Sequence, residues 1–230
     1  MDDPVGKKTL DVMSHATYYN RWLFSQIVPY LKSPLVEVGS GTGNFLPMYI
    51  QSGLKTTAID FNSEYLKIIK SNYGIDTYQF DLQKSQVPQI LYKKFNSAVS
   101  LNVLEHIPNI TQAMKNIFDM LAPSGTAFIL VPSTPWAYNR LDKNLGHVKR
   151  YTIPQINSIA KRAGFQVIKS YYINPLGLIG WLVSGFILRN DNLRAGPVKL
   201  FDIISRPFLF LETFIHPPIG LSLITILKKP

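Results

Sequence analysis

Short apolar runs alternate with amphipathic stretches along most of this 230-residue chain. The runs at 35–38, 56–60, 77–80, 95–101, 126–132, 165–172 and 221–229 are rich in β-branched and aromatic residues and read as seven strands. Between them, apolar positions recur at helical spacing over 44–52, 63–72, 109–121 and 153–163. Ahead of the first run, 8–31 reads as one helix, with Leu10, Met13, Trp22, Phe24 and Ile27 as apolar positions and Pro29 near its end. Gly53, Gly74 and Gly164 fall where helices should stop. Thr152 with Gln155 forms a capping-box pattern at the start of the 153–163 helix. Strict alternation of strand and helix from 35 to 131 predicts a parallel, doubly wound α/β sheet.

Two stretches depart from that rhythm. Residues 133–152 show no periodicity and read as a loop at the carboxyl edge of the fifth strand, where such sheets place ligands. Residues 175–220 are apolar with interspersed Arg189, Arg194, Lys199 and Arg206. A structureless segment of that length is improbable, so two or three helices are expected there. They would cover a pocket, rest on a membrane surface, or serve as extra core or a dimer interface.

Composition narrows the chemistry. There is no cysteine, which excludes disulfides, thiolate metal sites and a cysteine nucleophile. No metal-ligand motif stands out, and no metal is expected. The net charge is +10, and residues 140–230 hold 13 Lys and Arg against 4 Asp and Glu. Such a basic C-terminal part suits an anionic partner: nucleic acid, lipid headgroups, or an acidic or phosphorylated substrate. The longest apolar run, 175–188, is too short to span a bilayer. With no secretory pattern at the start, a cytoplasmic location is expected, with peripheral contact at the inner membrane face through 175–215 as the alternative.

The strand at 35–38 runs into Gly39-Ser40-Gly41-Thr42-Gly43-Asn44. Alternating glycines let the chain turn sharply and let a ligand approach the backbone, and a helix start follows. A dinucleotide fingerprint would need glycine where Asn44 stands. With Glu37 two residues before the first glycine, the segment instead resembles motif I of the class I S-adenosylmethionine-dependent methyltransferases. That resemblance implies a loop wrapping the methionine moiety, Glu37 positioning its ammonium end, and S-adenosylhomocysteine as product. Asp60, at the end of the second strand and 17 residues past Gly43, suits the ribose hydroxyls. The resemblance further implies Phe61 over the adenine, Asp81 and the Leu82 backbone at its edge, and Asn102-Val103 beside the sulfonium. It also implies an antiparallel seventh strand and an N-terminal cap helix over the cofactor, which core packing would explain equally well. The whole is then one domain, 1–230: a cap helix at 1–33, a cofactor-binding core with acceptor loop at 34–174, a helical insertion at 175–220, and the last strand at 221–230. The fold class is a Rossmann-like, seven-stranded, mostly parallel α/β sheet.

Leu104-Glu105-His106 resembles a segment found after strand four in many small-molecule methyltransferases. There His106 is either a general base or a structural tie, and Glu105 is read as structural. Gly146-His147-Val148-Lys149-Arg150-Tyr151-Thr152 is similar to a segment of a bacterial subgroup acting on lipid, glycan or other small acceptors. His147 is the first candidate for general base, since imidazole titrates near neutral pH. Arg150 would hold an anionic group of the acceptor, and Tyr151 would either join the site or pin the loop. The function expected is methyl transfer to an oxygen or nitrogen of such an acceptor. The alternatives are an RNA-modifying methyltransferase or a non-catalytic, cofactor-binding or membrane-associated subunit. An Asn-Pro-Pro motif for nucleobases is missing.

Overall fold

A computed structural model describes residues 4–230. Strands β1 (Leu35–Val38), β2 (Thr56–Asp60), β3 (Asp76–Gln79), β4 (Phe95–Leu101), β5 (Leu121–Pro132), β6 (Gln166–Ile173) and β7 (Ser222–Lys228) form one sheet in the order β3-β2-β1-β4-β5-β7-β6. The pairs from β3 to β5 are parallel, while β7 runs antiparallel to both β5 and β6. The strand order reverses between β1 and β4, and the crevice at that switch point is where such sheets bind ligands.

Helices cover both faces. On one side Ile110, Met114 and Ile117 of α5 (Ile110–Met120), with Ile156 and Ala160 of α7 (Ile153–Arg162), pack against Val36, Val38 and Ile129. On the other, Leu23 and Ile27 of α2 (Thr17–Ile27), Tyr49 of α3 (Leu46–Gln51) and Ile69 of α4 (Ser63–Tyr73) pack against Leu35, Ala58 and Ile224. Successive residues of β1 therefore serve opposite layers, as strand geometry requires.

Local signals fix many boundaries. The Asn62 side chain accepts the Glu64 N–H to start α4, and Gly74 closes it at φ +64°. Thr152 and Gln155 form the reciprocal capping box of α7. The expected helix at 8–31 is instead two, α1 (Pro4–Ser14) and α2, followed by a 3₁₀ turn at Val28–Tyr30. The cause is distant in sequence. The buried Asp202 carboxylate accepts the N–H groups of Tyr18 and Tyr19 at 3.1 and 2.9 Å, supplying from the insertion the cap that α2 lacks locally.

Residues 133–152 are more ordered than a loop. A 3₁₀ turn at Pro135–Ala137 precedes α6 (Arg140–Asn144), which Asn139 and Asp142 start with a capping box. The insertion comprises α8 (Pro175–Leu182), a π-helical turn at Val183–Ile187, α9 (Ala195–Ile204) and α10 (Arg206–Glu212). No helix among the described residues is long and apolar enough to cross a membrane.

Candidate active site

The glycine loop leaves β1 at the switch point. Gly39 sits at φ +72°, and a Cβ there would collide with the Val103 side chain. Glycine thus lets the β1 loop lie directly against the segment that follows β4. Gly41, at φ +52°, donates its N–H to Asp60 Oδ2 at 2.8 Å, and Asn62 N–H reaches Asp60 Oδ1 at 2.8 Å. The Asp60 carboxylate therefore ties the loop to the end of β2. Helix α1 lies over the loop: the Asn44 side-chain amide donates to the Leu10 carbonyl at 3.0 Å, and the Leu10 side chain would be 2.8 Å from a Cβ at Gly41.

Glu37 is buried beneath this loop. Its Oε1 accepts from the Tyr49 hydroxyl at 3.5 Å, and its Oε2 has no hydrogen-bond partner. Burial pushes Glu37 up to about 8; the Tyr49 bond opposes this and the Asp60 charge adds to it. A buried carboxylate with an orphaned oxygen is satisfied by an arriving cation, and the ammonium of a methionine moiety is one. The exposed Phe61 ring follows Asp60, and Asp81 lies beyond β3 with its Oδ1 taken by the Gln83 N–H at 2.9 Å. Leu82 beside it is buried. Ser40 is also buried, its N–H on the Ile59 carbonyl at 3.1 Å. Asn102 is exposed at φ +53°, its N–H bonded to the Leu130 carbonyl at 2.9 Å. These residues lie at or just beyond the carboxyl ends of β1, β2, β3 and β4, which share one edge of the sheet. The orphaned Glu37 oxygen, the exposed aromatic ring and the glycine-lined turn fit S-adenosylmethionine.

A second cluster begins two residues beyond Val103. Glu105 is fully buried, and neither of its oxygens has a hydrogen-bond partner. Burial raises it to about 8, against its own N–H and the Arg150 charge. Its Oε1 lies 3.9 Å from His147 Nε2. The other His147 nitrogen, Nδ1, is 2.8 Å from Asp142 Oδ1. Asp142 is the hub: Arg150 Nε also donates to Oδ1 at 2.8 Å, while Trp181 Nε1 and the Asn139 N–H donate to Oδ2 at 3.1 and 3.0 Å. Burial alone would raise Asp142, but the His147 hydrogen bond and the Arg150 charge overcome it and hold the carboxyl below its usual range. His106 is exposed, its ring 4.9 Å from that of His147 and nearly perpendicular to it.

Two catalytic candidates from the sequence are corrected. Arg150 does not reach an acceptor: it is buried, bonded to Asp142 and the Ser133 carbonyl, and stacked 4.7 Å from the Trp181 ring centroid. Tyr151 is fully buried in the core, and its N–H donates to the Pro132 carbonyl at 2.9 Å, so it pins the segment to β5. Glu105, read from sequence as structural, carries the unsatisfied carboxyl of the site. Asp142 and Trp181 are added to it. For Asp142 the Asn139-x-x-Asp142 capping spacing was the only local signal. The donor atoms of Glu105, His106 and His147 lie within 4.8 Å of one another, a set that a divalent cation would accept.

A family model described as a methyltransferase domain matches residues 15–170, about two thirds of the chain. The chain belongs to this family, and its fold is that of the class I S-adenosylmethionine-dependent methyltransferases. A methyltransferase structure from Mesorhizobium loti superposes with a TM-score of 0.63 at 15% identity, covering 90% of this chain and 96% of that one. A methyltransferase from Archaeoglobus fulgidus gives 0.60 at 15%, covering 91% and 94%. Among relatives, a ubiquinone biosynthesis O-methyltransferase of Xanthomonas campestris pv. campestris is 25% identical over 108 residues, 45% of each chain. One from Xanthomonas euvesicatoria pv. vesicatoria is 24% identical over 149 residues, 58% of this chain and 62% of its own length. The match thus spans about half the length of these relatives.

Proposed function

We propose that this chain transfers a methyl group from S-adenosylmethionine to an oxygen of a small-molecule, lipid or glycan acceptor, with His147 as general base. The observation that carries this reading is the 2.8 Å contact between Asp142 Oδ1 and His147 Nδ1. It fixes Nδ1 as the protonated nitrogen and leaves the Nε2 lone pair toward the segment after β4. When bound, S-adenosylmethionine supplies a methyl group already activated as a sulfonium, so the chain's own task is positioning, exclusion of water and proton removal. Glu37, Asp60 and the 39–44 backbone hold the cofactor, with Phe61, Asp81 and Leu82 around its base and Asn102-Val103 beside its reacting end.

His147 Nε2 takes the acceptor's hydroxyl proton as the oxygen becomes nucleophilic. Asp142, ionised throughout the neutral range, stabilises the imidazolium that results. Glu105 is uncharged below about pH 8 and does not compete for that proton. His106, exposed beside the same imidazole, lines the approach. Arg150 and Trp181 act through Asp142, which they hold in place. The Xanthomonas relatives are named as O-methyltransferases, which supports an oxygen acceptor.

The test is transfer of labelled methyl from S-adenosylmethionine into lipid, glycan and RNA fractions, repeated with His147→Gln. The variant should lose about 10²–10⁴-fold in kcat while binding S-adenosylhomocysteine like the wild type in calorimetry. Full turnover by His147→Gln would remove it as base. Label confined to RNA would replace the acceptor class.

A further inference from the structure

Helices α9 and α10 are turned inside out. Their inward stripe carries polar residues: Asp202, Ser205 and Glu212 are buried together with Leu209. Asp202 caps α2, Glu212 Oε2 accepts the Asn174 N–H at 2.7 Å, and Trp22 Nε1 donates to Thr213 Oγ1 at 3.1 Å. The outward stripe is apolar. On α9 it consists of Leu200, Ile203 and Ile204, spaced as one helical face. On α10 and just after it, Phe210, Leu211, Phe214 and Ile215 are all more than half exposed, the last two at 70% and 72%. Elsewhere on the insertion the π-helical turn exposes Phe186 and Ile187, the latter at 72%, and Leu188 just after it. Single exposed apolar side chains are ordinary, but a patch of this extent on one insertion marks an interaction surface.

The charge around the patch selects its partner. Arg189, Arg194, Lys199 and Arg206 are all exposed within the insertion. Its acids are engaged elsewhere: Asp202 and Glu212 point inward, and Asp191 pairs with Arg140 at 2.8 Å. The insertion therefore offers apolar side chains and four exposed cations against one exposed carboxylate, Asp191, which Arg140 engages. A second copy docked face to face by a twofold axis would set these cations against one another. An anionic bilayer satisfies both features, taking the aromatic and aliphatic side chains to headgroup depth and the cations among the phosphates.

We propose that the outer face of 183–215 is a monotopic docking surface for anionic lipid bilayers, and that the acceptor is an amphiphile met at that surface. The second clause rests on the methyl-transfer reading; the first does not. The same insertion touches both halves of the site. Trp181 Nε1 donates to Asp142, and Asp202 organises the start of α2, next to the helix that covers the glycine loop. Docking would thus place the His147 end of the crevice next to the membrane surface.

The test is co-sedimentation of the full chain with phosphatidylcholine vesicles containing about one third phosphatidylglycerol, without cofactor or turnover. The chain should bind these vesicles and release as salt rises, with much weaker binding to pure phosphatidylcholine. The pair Phe214→Ser with Ile215→Ser, both on exposed positions, should weaken binding by about tenfold, as should Arg194→Gln with Lys199→Gln. Circular dichroism of each variant verifies that it is folded. No sedimentation of the wild type with anionic vesicles overturns the proposal. So does a concentration-dependent dimer in ultracentrifugation that the serine pair abolishes, since the face would then belong to a second copy. Because binding is read without methyl transfer, an inactive but vesicle-bound chain would count against the enzymatic reading alone.

Discussion

Glu105 Oε1 stands 3.9 Å from His147 Nε2, and the Glu105 carboxyl accepts no hydrogen bond in a fully buried position. An ionised carboxylate in such a place is costly, so the residue holds its proton well above the usual range. Glu105 faces His147 Nε2, the ring nitrogen turned away from Asp142.

The cost is measurable as stability against pH. Glu105 goes from an ordinary value of 4.5 to about 8 on folding, so the native state binds the proton more tightly than the unfolded state. The stabilisation is fully present below about pH 4.5 and is lost as pH rises through about 8. Glu37 follows the same course. Wild-type melting temperature should therefore fall between these pH values, and Glu105→Gln should fall by less, keeping the contributions of the other buried carboxyls, Glu37 and Glu212. Parallel curves for the two proteins would mean that Glu105 is ionised in the fold.

Asp142 shows the opposite sign. Its carboxyl is held below the usual range, so its contribution is present at neutral pH and is lost on acidification. Asp142→Ala should destabilise by about 3–5 kcal/mol, because it strands the buried Arg150 charge and the Trp181 N–H together. Arg150→Met, which removes the charge and retains bulk, should cost less. Urea unfolding at pH 7 compares them; an equal or larger loss for Arg150→Met would put the hub at the guanidinium.

The crevice was readable from the chain because its parts are local. A four-residue apolar run, an acid and alternating glycines fix Glu37 to Gly43, and breakers bound β2 and β4 to the residue. What could not be read depends on partners far away in sequence. The break between α1 and α2 requires Asp202, which lies 183 residues beyond Tyr19. Arg150 looked like an acceptor anchor because its motif is exposed-looking and polar; only the fold brings Asp142, Trp181 and the Ser133 carbonyl around it. The basic excess of the C-terminal part was countable, whereas the inward turn of Asp202 and Glu212, which leaves that charge facing outward, was not.

The contact of Gly39 with Val103 joins the cofactor loop to the segment after β4 and makes a specific demand. Gly39→Ala combines a collision with Val103 and a left-handed backbone at φ +72°, the latter costing about 1–2 kcal/mol by itself. The variant should lose stability and bind S-adenosylhomocysteine more weakly. Adding Val103→Ala should recover the collision but not the backbone cost. Full recovery by the double variant, seen in denaturant unfolding, would show that the φ value at 39 relaxes freely.

His147 Nε2 can serve as a base only while its lone pair is unclaimed, and the neighbouring donors put that condition at risk. Glu105, His106 and His147 offer ligand atoms within 4.8 Å of one another, and Asp142 backs the far nitrogen of His147 as a carboxylate backs a metal-bound imidazole. Zinc, with bonds of about 2.0–2.2 Å to such donors, needs only small side-chain shifts to bind there. It would take the lone pair that the acceptor's proton requires. Added Zn²⁺ should therefore inhibit methyl transfer, and a chelator should relieve that inhibition while leaving the metal-free enzyme at full rate. His106→Ala should weaken the inhibition by removing one ligand. If instead the chelator abolishes turnover and a divalent cation restores it, His147 is a ligand, the cation activates the acceptor oxygen, and the general-base reading falls.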